Sequence, residues 1–224
     1  MIYITGDLHI PIDIGKLTTK NFPEQKNLSK SDFLIICGDF GGVWNGSNED
    51  LYWQKWFDKK NFTALFVDGN HENFDLLKTY PEVSFHGATA HKINDSLFHI
   101  KRGQILELES KTFFVFGGAS SHDKAHRTEG KNWWREELPT EDEIESAKRA
   151  LDKHNKKVDY IVTHCTATSV QNMVNSSYER NILTDFFEEV NTAVTFEKWF
   201  FGHYHKDKII DEKHIALFNK LYAI

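Results

Sequence analysis

Cysteine, proline and methionine are scarce in this chain: among 224 residues there are two, four and two of them. Two cysteines, Cys37 and Cys165, cannot build a disulfide framework, which excludes a small bridge-held secreted scaffold and makes a reducing compartment, the cytoplasm, the expected location. No apolar run reaches the ~20 residues of a membrane span. The opening residues, Met1 to Gly6, enter a strand-like pattern directly, without the basic and long apolar regions of a secretory leader. Positive charge is also short, 27 lysines and arginines against 33 acids for a net of −6, which argues against nonspecific binding to nucleic acid but permits a local basic patch.

Histidine, by contrast, is abundant: twelve residues, in a chain that is 40% apolar and 14% aromatic. That composition belongs to a folded globular chain, and the length suits one domain over residues 1–224 with a sizeable core. Imidazole is the commonest metal ligand and titrates near neutrality, so the histidines are the feature to place.

Short, continuously apolar runs recur at Ile2 to Ile4, Phe33 to Cys37, Ala64 to Val67, Phe113 to Phe116, Tyr160 to Val162 and Trp199 to Phe201. Runs of this length, rich in aromatic and β-branched residues, predict strands buried on both faces. Between them, Asn48 to Lys60 gathers Tyr52, Trp53, Trp56 and Phe57 on one helical face, and Tyr178 to Val190 does the same with Ile182, Leu183, Phe186, Phe187 and Val190. Thr140 with Glu143 predicts a capping box at the start of a third helix. Alternation over residues 91–116, around Glu109 to Lys111, predicts an antiparallel hairpin. The sum is a layered α/β or α+β domain with sheets at its centre.

The residues suited to chemistry sit just behind the strands. Gly6-Asp7-Leu8-His9, Gly38-Asp39-Phe40-Gly41-Gly42, Gly69-Asn70-His71-Glu72, His164 and Gly202-His203-Tyr204-His205 each come directly after a strand-like run. Carboxylate, imidazole and amide oxygen without thiolate suit an N/O-ligated ion of the manganese, iron, cobalt, nickel or zinc kind. Asp7, His9, Asp39, Asn70, His164, His203 and His205 exceed the four ligands of a closed zinc site, which points to two metals clamping a phosphoryl group. Singly, each of the seven could be an ordinary loop or capping residue; their recurrence behind successive strands argues otherwise.

In order, GDLH, GDFGG, GNHE, the histidine of THC and GHYH resemble the five motifs of the calcineurin-like metallophosphoesterases, over residues 1 to about 206. The resemblance implies a two-sheet β-sandwich flanked by helices. It implies that Asp7, His9 and His205 bind one metal, that Asp39 bridges, and that Asn70, His164 and His203 complete a second. His71 is left unligated as the catalytic acid or electrostatic partner of the leaving oxygen. The expected cofactors are two transition metal ions, manganese, iron or zinc, and the expected reaction is hydrolysis of a phosphate ester by water that both activate. The second histidine of GHYH is more like the diesterase-type branches than the Ser/Thr protein phosphatases, which leans toward phosphodiester or small-molecule phosphate substrates over the alternative, a phosphomonoesterase, Ser/Thr protein phosphatases included.

One departure stands out. Members commonly carry an acid where this chain has Gly42, an acid that can orient the histidine of GNH; Asp68 and Glu72 are the candidate substitutes. A noncatalytic metal- or phosphate-binding module is therefore the contrasting expectation, and retention of His71 and of all the ligands argues against it. The stretch from Gly117 to Pro139 is longer than most connections, and its His122, Lys124 and Arg127 are candidate phosphate contacts, with Trp133 and Trp134 either covering a substrate or plugging the core. Arg102 is read as an exposed strand residue and a weaker phosphate contact. Cys37 and Cys165 are read as small core residues. His86, His91, His99, His126, His154 and His214 show no metal-like pattern.

Overall fold

A computed structural model describes residues 1–224. In chain order its main elements are β1 (Ile2–Thr5), β2 (Phe33–Ile36), α1 (Asn48–Asp58), β3 (Thr63–Phe66), α2 (Phe74–Leu77), β4 (Glu82–Phe85), β5 (Ala88–Asn94), β6 (Leu97–Ile100), β7 (Gln104–Leu108) and β8 (Lys111–Phe116). They continue with α3 (Glu141–Lys153), β9 (Tyr160–Thr163), α4 (Thr168–Val174), α5 (Ile182–Ala193), β10 (Lys198–Phe201), β11 (Lys208–Ile209), β12 (His214–Ala216) and β13 (Leu221–Ala223).

These form two mixed sheets, ordered β13-β1-β2-β3-β6-β5-β4 and β11-β12-β10-β9-β8-β7. One core lies between the sheets and includes Ile4, Ile35, Leu65, Phe113, Val162 and Phe200. The opposite faces are covered as well: Leu34, Ile36 and Phe66 pack with Phe57 of α1, and Phe116, Ile161 and Phe201 pack with Ile144 of α3 and Phe187 of α5. Each central strand is thus buried on both sides, which is why it reads as an unbroken apolar run. The expected sandwich flanked by helices is what forms.

The parallel strands end level. Thr5 pairs with Ile36 and Ile36 with Phe66 in the first sheet; Phe116 pairs with Thr163 and Thr163 with Phe201 in the second. Loops leaving those carboxyl ends therefore start from one rim, where open α/β sheets assemble their sites.

Several local expectations change. The capping box is formed, with Thr140 accepting from Glu143 N and the Glu143 side chain accepting from Thr140 N. The helix expected from Tyr178 begins only at Ile182, because the Asn181 side chain accepts from the N–H groups of Leu183 and Thr184 and fixes the start there; Ile182 itself is exposed. In α1, Phe57 is buried but Tyr52 is exposed, with Trp53 and Trp56 half-covered. Residues 91–116 form two hairpins rather than one: β5 and β6 pair in the first sheet, β7 and β8 in the second, and the chain crosses between sheets near Gly103. Glu109 and Ser110, both at positive φ, make the two-residue turn of the second hairpin. Arg102 lies in that crossover, outside any strand, with its side chain only 5% exposed.

Candidate metal centre

The rim loops need unusual backbone. His9, Asp39, His203 and His205 have φ of 36°, 47°, 66° and 49°. A non-glycine residue held there costs about 1–3 kcal/mol, a strain kept where side-chain direction matters. Glycines make room for the carboxylates: a Cβ on Gly202 would stand 2.0 Å from Asp7 Oδ1, and one on Gly69 the same distance from Asp39 Oδ1. Only a residue without a side chain lets these strands end so close to an acid.

Asp7, His9, Asp39 and His205 bring donor atoms within 4.8 Å of one another. Asp39 Oδ2 faces His9 Nε2 at 3.1 Å, and Asp7 Oδ2 faces His205 Nε2 at 3.2 Å. On its other side Asp39 Oδ1 lies 3.3 Å from His164 Nε2, which is in turn 3.2 Å from Asn70 Oδ1. The His203 ring sits 5.0 Å from that of His164, and the His203 backbone N–H donates to Asp7. The structure therefore brings all seven sequence-predicted residues to one place.

The rings are held by their outer nitrogens. His164 Nδ1 is 2.7 Å from the Cys37 carbonyl, and His9 Nδ1 is 2.8 Å from Asp13. A proton on each Nδ1 satisfies these partners and leaves each Nε2 lone pair facing the centre, the arrangement of metal-binding histidines. Phe218 stacks on His205 at 4.7 Å, and Lys16 donates to the Asp7 carbonyl at 2.5 Å and to the Phe218 carbonyl, tying those two loops together.

Charge explains what the site requires. Asp7 and Asp39 are essentially inaccessible to solvent. Burial alone would raise their pKa values, yet imidazoles, led by His205 for Asp7 and His164 for Asp39, hold both below the usual carboxylate range. Burial likewise opposes the charge on His164, and Asp39 and Asp7 override it to push that ring up to about 10. His203, by burial and by its neighbour His164, is pushed down to about 3. The two buried carboxylates draw on neighbouring imidazoles and on the backbone N–H groups of His203 and His71; a cation bound among the same atoms would take the place of protons on imidazole, as metal binding does. The donor set fits divalent metal.

His71 stands beside this cluster, its ring 5.3 Å from that of His9 and its N–H donating to Asp39 Oδ1 at 2.7 Å. Neither candidate acid reaches the ring. Asp68 accepts from Arg102 Nε at 2.9 Å and Nη2 at 2.5 Å and from His99 at 3.2 Å, while Glu72 accepts from the Phe40 N–H at 2.7 Å. Arg102 is thus a buried ion-pair partner, not an exposed strand residue. What does approach His71 is Arg127 Nη2, at 3.4 Å from Nε2. Burial, and then the Arg127 charge working against Asp39, lower the His71 pKa.

Arg127 belongs to the long segment after β8, where Asp123 and the Asn132 carbonyl hold its guanidinium. In the same segment Trp134 is buried and donates to Asp75 at 2.8 Å, so this tryptophan plugs, whereas Trp133 stays half-exposed. His122 and Lys124 do not touch the acid–imidazole cluster; they line a cavity that His203 also borders. Sequence reasoning missed Asp13, Lys16, Phe218 and the buried pair Ser121 and Glu137, which contacts Asn70. Only for Ser121 and Glu137 was there a signal, the unusual length of their loop. Cys37 and Cys165 are buried and unbridged, as small core residues.

A two-sheet frame with an Asp/His cluster at the carboxyl ends of its parallel strands defines a metal-binding α/β sandwich. Residues 1–207 match the calcineurin-like phosphoesterase family, and the chain belongs to that family of metal-dependent phosphoester hydrolases. Among curated proteins none matches this chain. No helix is long and apolar enough to cross a membrane.

Proposed function

We propose that the protein, as a single domain, hydrolyses phosphate esters at a two-metal centre, with a preference for diesters or small-molecule phosphates. Asp7, His9 and His205 hold the first ion, Asn70, His164 and His203 the second, and Asp39 serves both. The observation that carries this reading is Asp39 itself, whose two oxygens face two different imidazoles, 3.1 Å from His9 and 3.3 Å from His164. Manganese, iron or zinc fits these ligands, and ions so held supply Lewis acidity toward phosphoryl oxygen and lower the pKa of water.

The remaining roles fall to the chain's own groups. Arg127 presents a planar cation to a phosphoryl oxygen, for which guanidinium is suited; His122 and Lys124 act further out along the substrate. His71, unligated and beside Arg127, meets the departing oxygen. Its lowered pKa favours the neutral ring, so Arg127 supplies the positive charge there while His71 positions or transfers the proton. The reducing cytoplasm is the proposed setting, given two free cysteines.

Metal analysis after reconstitution with manganese, with assays on bis-p-nitrophenyl phosphate and p-nitrophenyl phosphate, tests the proposal. Two ions per chain and hydrolysis that Asp39→Asn abolishes are expected. Fewer than one ion per chain, or full activity in Asp39→Asn, would overturn it.

The absence of any carboxylate on His71 favours a second reading, a binding module that has lost turnover. Equal and negligible rates for the metal-loaded wild type and His71→Ala across a broad phosphate panel would support that module instead.

A further inference from the structure

A cavity of about 620 Å³ opens beside His203. One wall comes from the segment after β8, with Ser120, His122 and Lys124; the other comes from the stretch between α4 and α5, with Ser177 and Tyr178. A phosphate group fills only a small part of such a space, whose size is that of an organic ligand site.

Its lining is unusual. Ligand pockets are mostly apolar, yet only three of the fourteen residues here are hydrophobic. The side chains of Ser120, His122, Lys124 and Ser177 and the Tyr178 hydroxyl make no hydrogen bond within the chain, so five donors or acceptors from two separate segments are left for a ligand. Lys124 has no acid within reach, and Arg180 adds a second cation at the rim, tied to Asp185 at 3.0 Å; Glu179 is the single acid of the lining. Hydroxyls beside the unpaired ammonium of Lys124 select a hydroxylated anion. The aromatic content is low: Tyr178 is the one Phe, Trp or Tyr of the lining, and its ring already packs against His203 at 5.9 Å and edge-on against Tyr204 at 5.0 Å.

We propose that this cavity is a specificity subsite for a polyhydroxylated group that carries a second anionic charge and is joined to the phosphoester at the metal centre. The proposal rests on the phosphoesterase reading above. A free sugar phosphate and the ribose of a nucleotide share this chemistry.

Binding of phenyl phosphate, fructose 1,6-bisphosphate and adenosine 3′,5′-bisphosphate to the full manganese-loaded chain tests it, by calorimetry and by inhibition of bis-p-nitrophenyl phosphate hydrolysis. At least one bisphosphate is expected to bind about tenfold or more tighter than phenyl phosphate, a gain of the size that one or two hydrogen bonds with a charge provide. A gain for the sugar compound alone, the adenosine compound alone, or both identifies the source. That gain should shrink to about twofold or less in a Lys124→Ala/Ser177→Ala double variant; both positions are exposed, and circular dichroism checks that the variant is folded. Phenyl phosphate binding as tightly as both bisphosphates, or a gain that survives the double substitution, would overturn the subsite. A metal-loaded chain inert toward both p-nitrophenyl substrates would instead overturn the hydrolase reading, and the calorimetric comparison would still decide the subsite.

Discussion

The Ser121 hydroxyl is 3.3 Å from the Asn70 amide nitrogen, and it decides which end of that amide faces the Asp/His cluster. Asn70 Nδ2 donates to Ser121 Oγ, Ser121 Oγ donates to Glu137 Oε1 at 3.0 Å, and the Ser121 N–H donates to Glu137 Oε2 at 2.9 Å. The amide oxygen is left toward His164. Outer partners of this kind tune metal affinity through the ligand that they orient.

Ser121→Ala should therefore weaken one of the two proposed metal sites about tenfold to a hundredfold and leave the other unchanged. Calorimetric titration of the metal-free protein with manganese reads both steps, and Ser121→Thr, which keeps the hydroxyl, should restore the weaker one.

Glu137 predicts a pH dependence. Burial raises its carboxyl from the ordinary 4.5 to about 7, against the bonds from Ser121. The folded chain therefore holds a proton that the unfolded chain releases, and this group's contribution to stability falls as pH rises from about 4.5 to about 7. Urea unfolding of metal-free protein between about pH 5 and about pH 8 should show a decline that is shallower in Glu137→Gln.

His71→Ala should lower kcat by about a hundredfold or more, the usual range for a lost proton-transfer group. Both metals should remain bound, because His71 holds Asp39 through its backbone N–H, which the substitution keeps. Single-turnover rates together with metal content check the two halves of this expectation; loss of metal would mean that His71 is a ligand.

Arg102→Ala should destabilise the fold by about 3 to 5 kcal/mol, because it leaves the buried Asp68 carboxylate without its guanidinium. The ion pair is closed from solvent on both sides, with Arg102 5% and Asp68 2% exposed. Equilibrium denaturation measures the loss. Asp68→Asn/Arg102→Ala should lose less than the single change, since the stranded charge is gone.

The strands most legible in the sequence were those buried on both faces, such as Phe33–Ile36 and Tyr160–Thr163, where burial removes all polar alternation. Short edge strands such as Leu221–Ala223 are three residues long and leave no period to read. Alternation over residues 91–116 was visible, but the crossing between sheets was not, because alternation reports a pleat and not the sheet to which it belongs. At the site, ligands placed behind strands could be found from their type and position in the chain. Asp13, Lys16 and Phe218 could not, since they act through contacts that depend on how distant loops fold back. Likewise, Arg102 reads as a surface residue because its buried partner, Asp68, lies 34 positions away in the chain.

The level strand ends have a thermodynamic consequence. Asp7, His9, Asp39 and Asn70 leave the first sheet, whereas His164, His203 and His205 leave the second. Neither sheet alone supplies every residue of the proposed donor set, so that site comes into being only as the interface between them closes. An ion bound there acts as a rivet across that interface, and by linkage its binding free energy is added to the cohesion of the two halves.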